Sequence, residues 1–413
     1  MVNSERNYSL NKGKIKFLLL EGIHSHARQT IEAAGYTNII EHKGALTPGE
    51  LHKALQGVHF VGIRSRTQLD VAAINAANRL TAIGCFCIGT NQVALQRAGQ
   101  AGVPVFNAPF ANTRSVAELA LAEIIMLMRG IPQKNAAAHR GEWLKTAHGS
   151  TEIRGKTLGI IGYGHIGSQL GIIAESMGMR VIFYDIESKL PLGNAESRGR
   201  FEAVLKEADV VSLHVPDTVE TRNLMSARAI SKMRKGSYLI NASRGTIVDI
   251  DALSDALRSE HIAGAAIDVF PVEPKTNTDR FESPLAGLDN VLLTPHIGGS
   301  TLEAQENIAI EVASKLVRYS DNGTTRSAVN FPQVSLPDHG NTRRIMHIHH
   351  NEPGVLQHIN RIFFDNEINI AAQYLQTDSD IGYVVMDVES TNVTGLMKDL
   401  AKVPATIRTR VLA

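Results

Sequence analysis

Leu158-Gly159-Ile160-Ile161-Gly162-Tyr163-Gly164-His165-Ile166-Gly167 decides the fold of the chain's middle third. Thr157–Ile161 is a short apolar run and reads as a buried strand. It ends in Gly162-x-Gly164-x-x-Gly167. Ile166, Leu170, Ile173 and Met177 then recur at helical spacing, and Gly178 closes the helix. A second strand, Arg180–Tyr184, stops on Asp185. The pattern is one βαβ unit with an acid about twenty residues past the first glycine, the fingerprint of dinucleotide binding. Gly162 permits the tight turn, Gly164 lets a pyrophosphate approach the backbone, and Gly167 lets helix and strand pack closely. The free N–H groups of the helix start suit the phosphates. No Arg directly follows Asp185, and an acid at this position accepts the ribose 2′-OH, so the expected cofactor is NAD. The competing reading is a glycine-rich turn of another α/β sheet.

The whole chain has 413 residues, 43% hydrophobic and 20% charged, enough for two or three soluble domains. Its net charge of +1 gives no electrostatic reason to expect nucleic acid or an anionic membrane as partner. No window approaches the roughly 18 apolar residues of a membrane span. The polar tail to about Gly13, followed only by Ile15–Leu20, is too short in apolar residues for a signal peptide. Cys85 and Cys87 are the only cysteines, which suits a reducing, cytoplasmic location.

Upstream of the glycine loop, Ile15–Leu20, His59–Ile63 and Thr81–Ile83 read as strands, and Ala27–Ala33 as part of a helix. Strands alternating with helices imply a second parallel sheet. Ligands sit beyond the carboxyl ends of such strands, where Arg64 and Arg66 fall. An Arg there forks onto a carboxylate or phosphate; the alternative is a solvated turn charge. A long helix opens near Asn112, with Val116, Leu119, Ala120, Glu123, Ile124 and Leu127 on one buried face. Trp143, in a polar stretch, is either a packing plug or an interface anchor.

Downstream, the strands Val210–Pro216, Ser237–Asn241, Ala263–Val269 and Val291–Leu293 follow. Ser300-x-x-Glu303 looks like a capping box for a helix reaching about Tyr319. Three consecutive strands run into Arg244, Glu273 and His296, so a parallel sheet brings these residues to one edge. Arg244 suits a substrate carboxylate. His296 suits proton exchange with a hydroxyl, and Glu273 suits a place behind the imidazole. Taken singly, each also reads as an ordinary loop residue.

The tail begins after a segment read as a linker, residues 331–341. Arg344–His349, a helix from Pro353, Asn369–Leu375, Gly382–Val388, Val393–Leu400 and Thr406–Val411 follow in βαββαβ order, a ferredoxin-like fold. The cluster His347, His349 and His350 has a metal-binding alternative, unsupported by nearby Cys or paired carboxylates.

These motifs, together with Arg64-Ser65-Arg66-Thr67, Ile83 to Asn91 and Phe106 to Glu118, resemble the D-isomer-specific 2-hydroxyacid dehydrogenase family. The tail resembles an ACT domain. The resemblance implies a Rossmann-type NAD domain (111–298) inserted into a flavodoxin-like substrate domain (1–110 and 299–330), then the linker and an ACT regulatory domain (342–413). It implies Arg244, Glu273 and His296 as catalytic residues. It implies NAD contacts at Gly162, Gly164, His165, Ile166, Gly167, Asp185, Ala242, Ser243, Arg244, Asp268, His296, Ile297, Gly298 and Gly299. Arg64, Ser65 and Asn112 match substrate positions, and His349, Asn351 and Asn369 match serine-binding positions. At His350-Asn351-Glu352 relatives commonly carry Glu, Asn, Arg. The reaction implied is NAD-dependent oxidation of 3-phosphoglycerate to 3-phosphohydroxypyruvate, the first step of serine synthesis, inhibited by serine. A side reduction of 2-oxoglutarate to 2-hydroxyglutarate and a homotetramer are also implied. The alternatives are a dehydrogenase of another D-2-hydroxy acid and an NAD-sensing corepressor of the same fold.

Overall fold

The computed structural model describes residues 11–274, 278–340, 342–389 and 393–412; most of the polar N-terminal tail lies outside the described residues. The chain divides into two compact units, Met1–Ala111 with Gln305–Ala413, and Asn112–Ala304.

In the first unit a parallel sheet is built from β1 (Lys16–Leu19), β2 (Asn38–Glu41), β3 (Phe60–Ile63), β4 (Ala82–Cys85) and β5 (Val105–Phe106). Its order is β2-β1-β3-β4-β5, the flavodoxin-like arrangement, with its switch point between β1 and β3. Alternation sends Phe17, Leu19 and Phe60 to one face, where Ile308, Val312, Leu316 and Tyr319 of the helix Leu302–Asn322 cover them. Leu18, Leu20, Val61 and Ile63 pack on the other face. Periodicity alone does not reveal β2, which is half-exposed, or β5, which has two residues. Of the two cysteines only Cys85 lies on a strand, and neither forms a disulfide.

The second unit carries a seven-stranded parallel sheet: β6 (Thr157–Ile161), β7 (Arg180–Tyr184), β8 (Glu196–Ser197), β9 (Val210–Leu213), β10 (Ser237–Asn241), β11 (Ile262–Ile267) and β12 (Val291–Leu293). The order is β12-β11-β10-β9-β6-β7-β8. Strand order therefore reverses between β6 and β9, and the crevice at their carboxyl ends is the ligand position of a doubly wound sheet. The helix Thr113–Arg129 stops on Gly130, whose left-handed φ of 57° ends it. Trp143 is 84% exposed, so it is not a packing plug within its unit.

The tail forms an antiparallel sheet of β13 (Arg343–His350), β14 (Ile370–Thr377), β15 (Ile381–Val388) and β16 (Thr406–Leu412), ordered β14-β15-β13-β16. Helices Val355–Asp365 and Thr394–Leu400 cover one face through Ile359, Phe363, Leu396 and Leu400. The architecture is thus α/β, with a Rossmann-type sheet, a flavodoxin-like sheet and a ferredoxin-like ACT fold.

Two local expectations are corrected. The cap of the helix Leu302–Asn322 is not Ser300: Thr301 Oγ1 accepts from Ala304 N at 3.1 Å. The segment before the tail is no loose linker. Phe331 and Leu336 are buried, and Thr325 N donates to Val334 O at 2.9 Å.

The tail sheet is held by a fully buried cation. Arg344 donates Nε and Nη2 to the two oxygens of Asp387 at 2.6 and 2.7 Å, and Nη1 to the carbonyls of Asn322 and Pro337 at 3.1 and 2.7 Å. Four hydrogen bonds replace the guanidinium's hydration; losing the carboxylate strands a charge in the core. Asp387→Ala is therefore expected to lower unfolding free energy by about 3 to 5 kcal/mol, read from denaturant unfolding. A loss below about 1 kcal/mol contradicts this account.

Candidate functional site

At the end of β6, Gly162 adopts φ 91°, and its N–H donates to Tyr184 O at 2.9 Å. A Cβ on Gly162 would sit 2.4 Å from the His214 carbonyl oxygen, beyond β9. A Cβ on Gly167 would sit 2.2 Å from Gly162 O, so only glycine lets the helix His165–Ser176 lie this close. A Cβ on Gly164 would meet nothing within 4 Å: two glycines are required by the fold, while Gly164 borders open space. Asp185 accepts from Tyr163 N at 2.8 Å and Glu187 N at 3.0 Å. Its carboxylate retains lone pairs for further donors. These residues, with exposed His165 and half-buried Ile166, fit NAD: a close backbone for the pyrophosphate and an acid for the ribose.

Arg244, Glu273 and His296 follow β10, β11 and β12, which are parallel neighbours with Asn241 level with Ile267 and Ile267 with Leu293. Fully buried Asn241 shapes the first of these turns. Its Nδ2 donates to Arg244 O at 3.0 Å, and its Oδ1 accepts from Ser243 N and Oγ at 3.2 and 2.8 Å. Ala242 and Ser243 lie along this turn. His296 Nδ1 lies 2.9 and 3.1 Å from the two Glu273 oxygens. A carboxylate there accepts, so Nδ1 carries the hydrogen and Nε2 the lone pair. The bond to Glu273 raises the His296 pKa; burial opposes it, and the charges of Glu273 and Asp268 add to it. Burial raises Glu273, but the His296 bond and charge, the Phe270 N–H and the Arg244 charge outweigh it and hold it low. About half of the His296 side chain is accessible (52%), leaving its face open to a substrate.

Asp268 is buried and bonded at three points within its own unit. Oδ1 accepts from Thr294 Oγ1 at 2.7 Å and Ile297 N at 2.8 Å, Oδ2 from Gly298 N at 2.9 Å, and its carbonyl from His296 N at 2.8 Å. This clamp holds His296 at its left-handed φ of 54°. Gly299 abuts Asn112, since a Cβ there would fall 2.3 Å from Asn112 Nδ2. Asn112 Oδ1 is buried with no hydrogen-bond partner.

In the first unit, Arg64 and Ser65 begin the turn after β3. Glu21, which sequence reasoning passed over, organises that turn. It is buried, sits at φ 65°, and accepts from the backbone N–H of Arg64, Arg66 and Thr67 at 3.1, 3.0 and 2.8 Å. Burial raises its pKa, and the bonds from Thr67, Arg66 and Arg64 outweigh that and lower it. Arg66 Nε also lies 3.7 Å from Glu21. Among the described residues Arg64 pairs with no carboxylate, which singles it out from Arg66.

In the tail, His349 is buried with Nδ1 against His350 O at 2.7 Å, and its Nε2 is unpartnered. Asn351 Nδ2 donates to Asp378 O at 2.7 Å. Asn369 precedes β14. Through β15, Thr377 and not Ile370 is level with His349, so within one chain Asn369 lies at the opposite end of the sheet. His347 Nε2 contacts Thr406 Oγ1 at 3.0 Å. Among the described residues no three His, Cys, Asp or Glu side chains are grouped to hold a metal.

Glu123, on the buried face of the helix Thr113–Arg129, is 1% exposed and neither oxygen has a hydrogen-bond partner. The neighbouring Thr294 hydroxyl donates its hydrogen bond to Asp268 at 2.7 Å. Burial first, and the Asp268 charge second, push the Glu123 pKa up to about 8.

Residues 121–298 match the family model described as D-isomer specific 2-hydroxyacid dehydrogenase, NAD binding domain. Residues 345–408 match the AHAS small subunit-like ACT domain. The chain is 62% identical over 406 residues to the D-3-phosphoglycerate dehydrogenase of Escherichia coli (strain K12), covering 98% of this chain and 99% of that protein. It is 61% identical over 404 residues to the enzyme of the same name from Haemophilus influenzae, covering 98% of each. A solved D-lactate dehydrogenase from Aquifex aeolicus, complexed with NAD and lactic acid, superposes with a TM-score of 0.66 at 26% identity, covering 77% of this chain and 100% of that one. NAD is thus the cofactor that both the geometry and the relatives indicate.

Buried Glu123 gives this region a measurable signature. A carboxyl raised from 4.5 to about 8 keeps its proton when folded and releases it when unfolded. Its contribution to stability is therefore full below pH 4.5 and is lost as pH rises to 8, by about 1.4 kcal/mol per unit. Glu123→Gln is expected to flatten that decline in unfolding measurements between pH 5 and 8. Parallel curves for the two proteins would show that Glu123 titrates normally.

Proposed function

The chain belongs to the D-isomer specific 2-hydroxyacid dehydrogenase family, and on that premise we propose that it oxidises 3-phosphoglycerate to 3-phosphohydroxypyruvate with NAD, opening serine synthesis. The observation that carries this reading is the His296–Glu273 pair at 2.9 Å, set on strand ends level with that of Arg244.

Arg244 forks onto the substrate carboxylate and polarises the adjacent oxygen. His296 Nε2 takes the hydroxyl proton. Bound NAD supplies the acceptor for the hydride leaving the same carbon. Glu273 stabilises the imidazolium that results, as the opposed pKa shifts of the pair require. In reduction the imidazolium returns the proton. Arg64, unpaired within its unit, binds the phosphate, with Ser65 and Asn112 as further substrate contacts. The name shared by the Escherichia coli and Haemophilus influenzae relatives supports this substrate. The same site is proposed to reduce 2-oxoglutarate to 2-hydroxyglutarate. Two cysteines outside any disulfide suit the cytoplasm, and no helix among the described residues is long and apolar enough to cross a membrane.

For regulation, we propose L-serine as inhibitor, bound by His349, Asn351 and Asn369. Because Asn369 immediately precedes β14 and His349 is level with that strand's far end, one chain does not complete this set. Strand β14 is a sheet edge, and two such edges paired antiparallel about a two-fold axis would bring Asn369 of the partner subunit to the same end of the joined sheet as His349 and Asn351. A homotetramer, with exposed Trp143 in a second contact, follows from this reading.

NADH formation from 3-phosphoglycerate is expected, and His296→Ala should cut it by roughly 10²–10⁴-fold; an intact rate would end the proposal. The neutral imidazole is the base, so oxidation rises with pH through the raised His296 pKa. Glu273→Gln removes the main cause of that rise and should move the limb to lower pH. Serine should slow the reaction, and Asn369→Ala should weaken that effect as strongly as His349→Ala. Inhibition unaffected by Asn369→Ala would refute the paired site.

A further inference from the structure

The first unit holds a cavity of about 550 Å³ that the dehydrogenase reaction does not use. Its walls come from the amino ends of the first sheet (His59, Thr81), from the end of the helix Leu302–Asn322 (Ser320, Asp321), and from β16 (Thr409, Arg410). Arg64 follows the carboxyl end of β3, whereas His59 immediately precedes that strand. The cavity therefore lies at the opposite sheet edge, about 16 Å away along the strand.

Some of the donors at its wall have no acceptor, while Lys12, Tyr36 and Thr81 donate to Asp321, Ala34 O and Arg79 O. Arg410 Nη1 is buried and has no hydrogen-bond partner, and Ser320 Oγ, on a residue 4% exposed, has none. The adjoining Tyr319, whose ring centroid lies 5.5 Å from the Arg410 guanidinium, has an unpartnered hydroxyl as well. His59 Nδ1 accepts from Lys16 N at 3.0 Å, so Nε2 is its hydrogen-bearing nitrogen. The one acid in the lining, Asp321, is engaged through Oδ1, which accepts from Tyr36 Oη at 2.5 Å and Lys12 Nζ at 2.9 Å. Among the described residues neither Arg410 nor neighbouring Arg408 pairs with a carboxylate. Burial, with the charges of Arg79, Arg410 and Lys16, lowers the His59 pKa, a sign of local positive excess. A half-buried guanidinium with an unmet N–H is costly unless an anion meets it. Ile15, Phe60, Val411 and Leu412 supply apolar wall for the rest of a small molecule, and the volume is that of a metabolite site.

We propose that this cavity is a second binding site, for a small oxyanion, a phosphate or carboxylate metabolite, held by Arg410 and Ser320 with His59 and Lys12 at its rim. Its walls come from both the first sheet and β16, and Arg408 Nη1 already ties β16 to Leu80 O at 2.6 Å. An occupant bound only when the tail is docked stabilises that docking by mass action.

The test is calorimetric titration of the whole protein with inorganic phosphate, in saturating NAD and an Arg64→Ala background, so that the cofactor loop and substrate site do not report. Saturable millimolar or tighter binding is expected. Adding Arg410→Gln should weaken it at least tenfold, and Ser320→Ala several-fold. Phosphate should raise the melting temperature of the Arg64→Ala protein and not that of the Arg410→Gln protein. Malonate, counted only as binding lost with Arg410→Gln, distinguishes a carboxylate ligand from a phosphate one. No saturable binding of either anion, or binding indifferent to both Arg410→Gln and Ser320→Ala, overturns the proposal. The readout is binding, so it stands apart from the identity of the hydroxy-acid substrate.

Discussion

The buried carboxylate of Asp268 is the interaction on which the proposed chemistry rests. Residues after β12 must turn so that His296 faces Glu273, and a non-glycine residue at φ 54° does not hold that backbone unaided. Three donors converging on one carboxylate, at 2.7 to 2.9 Å, supply the restraint. The same negative charge raises the pKa of His296 and adds to the rise at Glu123. Position, basicity and a proton stored in the core are thus linked through a single group.

Glu21 plays the corresponding part in the first unit. Both acids are buried and each accepts from successive backbone N–H groups of a loop that carries candidate ligand contacts. Each exchanges hydration for main-chain donors, which keeps an ionised carboxylate tolerable in the interior. The tail uses the opposite charge: Arg344 is satisfied by Asp387 and two carbonyls. Against these completed networks, the unmet donors around Arg410 stand out.

Much was legible from local pattern. Thr157–Ile161 and Arg180–Tyr184 have the bounds their apolar runs suggest, because a strand buried on both faces leaves a continuous hydrophobic signature. The βαββαβ order of the tail was equally plain. Less so were β2, whose Asn-Ile-Ile-Glu is half-exposed, and the cap at Thr301 in place of Ser300; both depend on neighbours that periodicity does not report. Glu123 was visible as an acid on an apolar helix face, but that it is buried beside Asp268 with neither oxygen hydrogen-bonded was not.

The sequence by itself determined the elements, the glycine loop with its acid, and the three residues that end successive strands, since these follow from short-range periodicity and steric need. Tertiary structure alone decided which groups meet. Parallel register levels the ends that carry Arg244, Glu273 and His296. Antiparallel register separates Asn369 from His349. Packing of β16 against the amino edge of the first sheet leaves Arg410 beside a cavity. The physical reason is common to all three: contact between residues on different strands, tens to hundreds of positions apart, is set by strand order and register, which no local stretch of chain encodes.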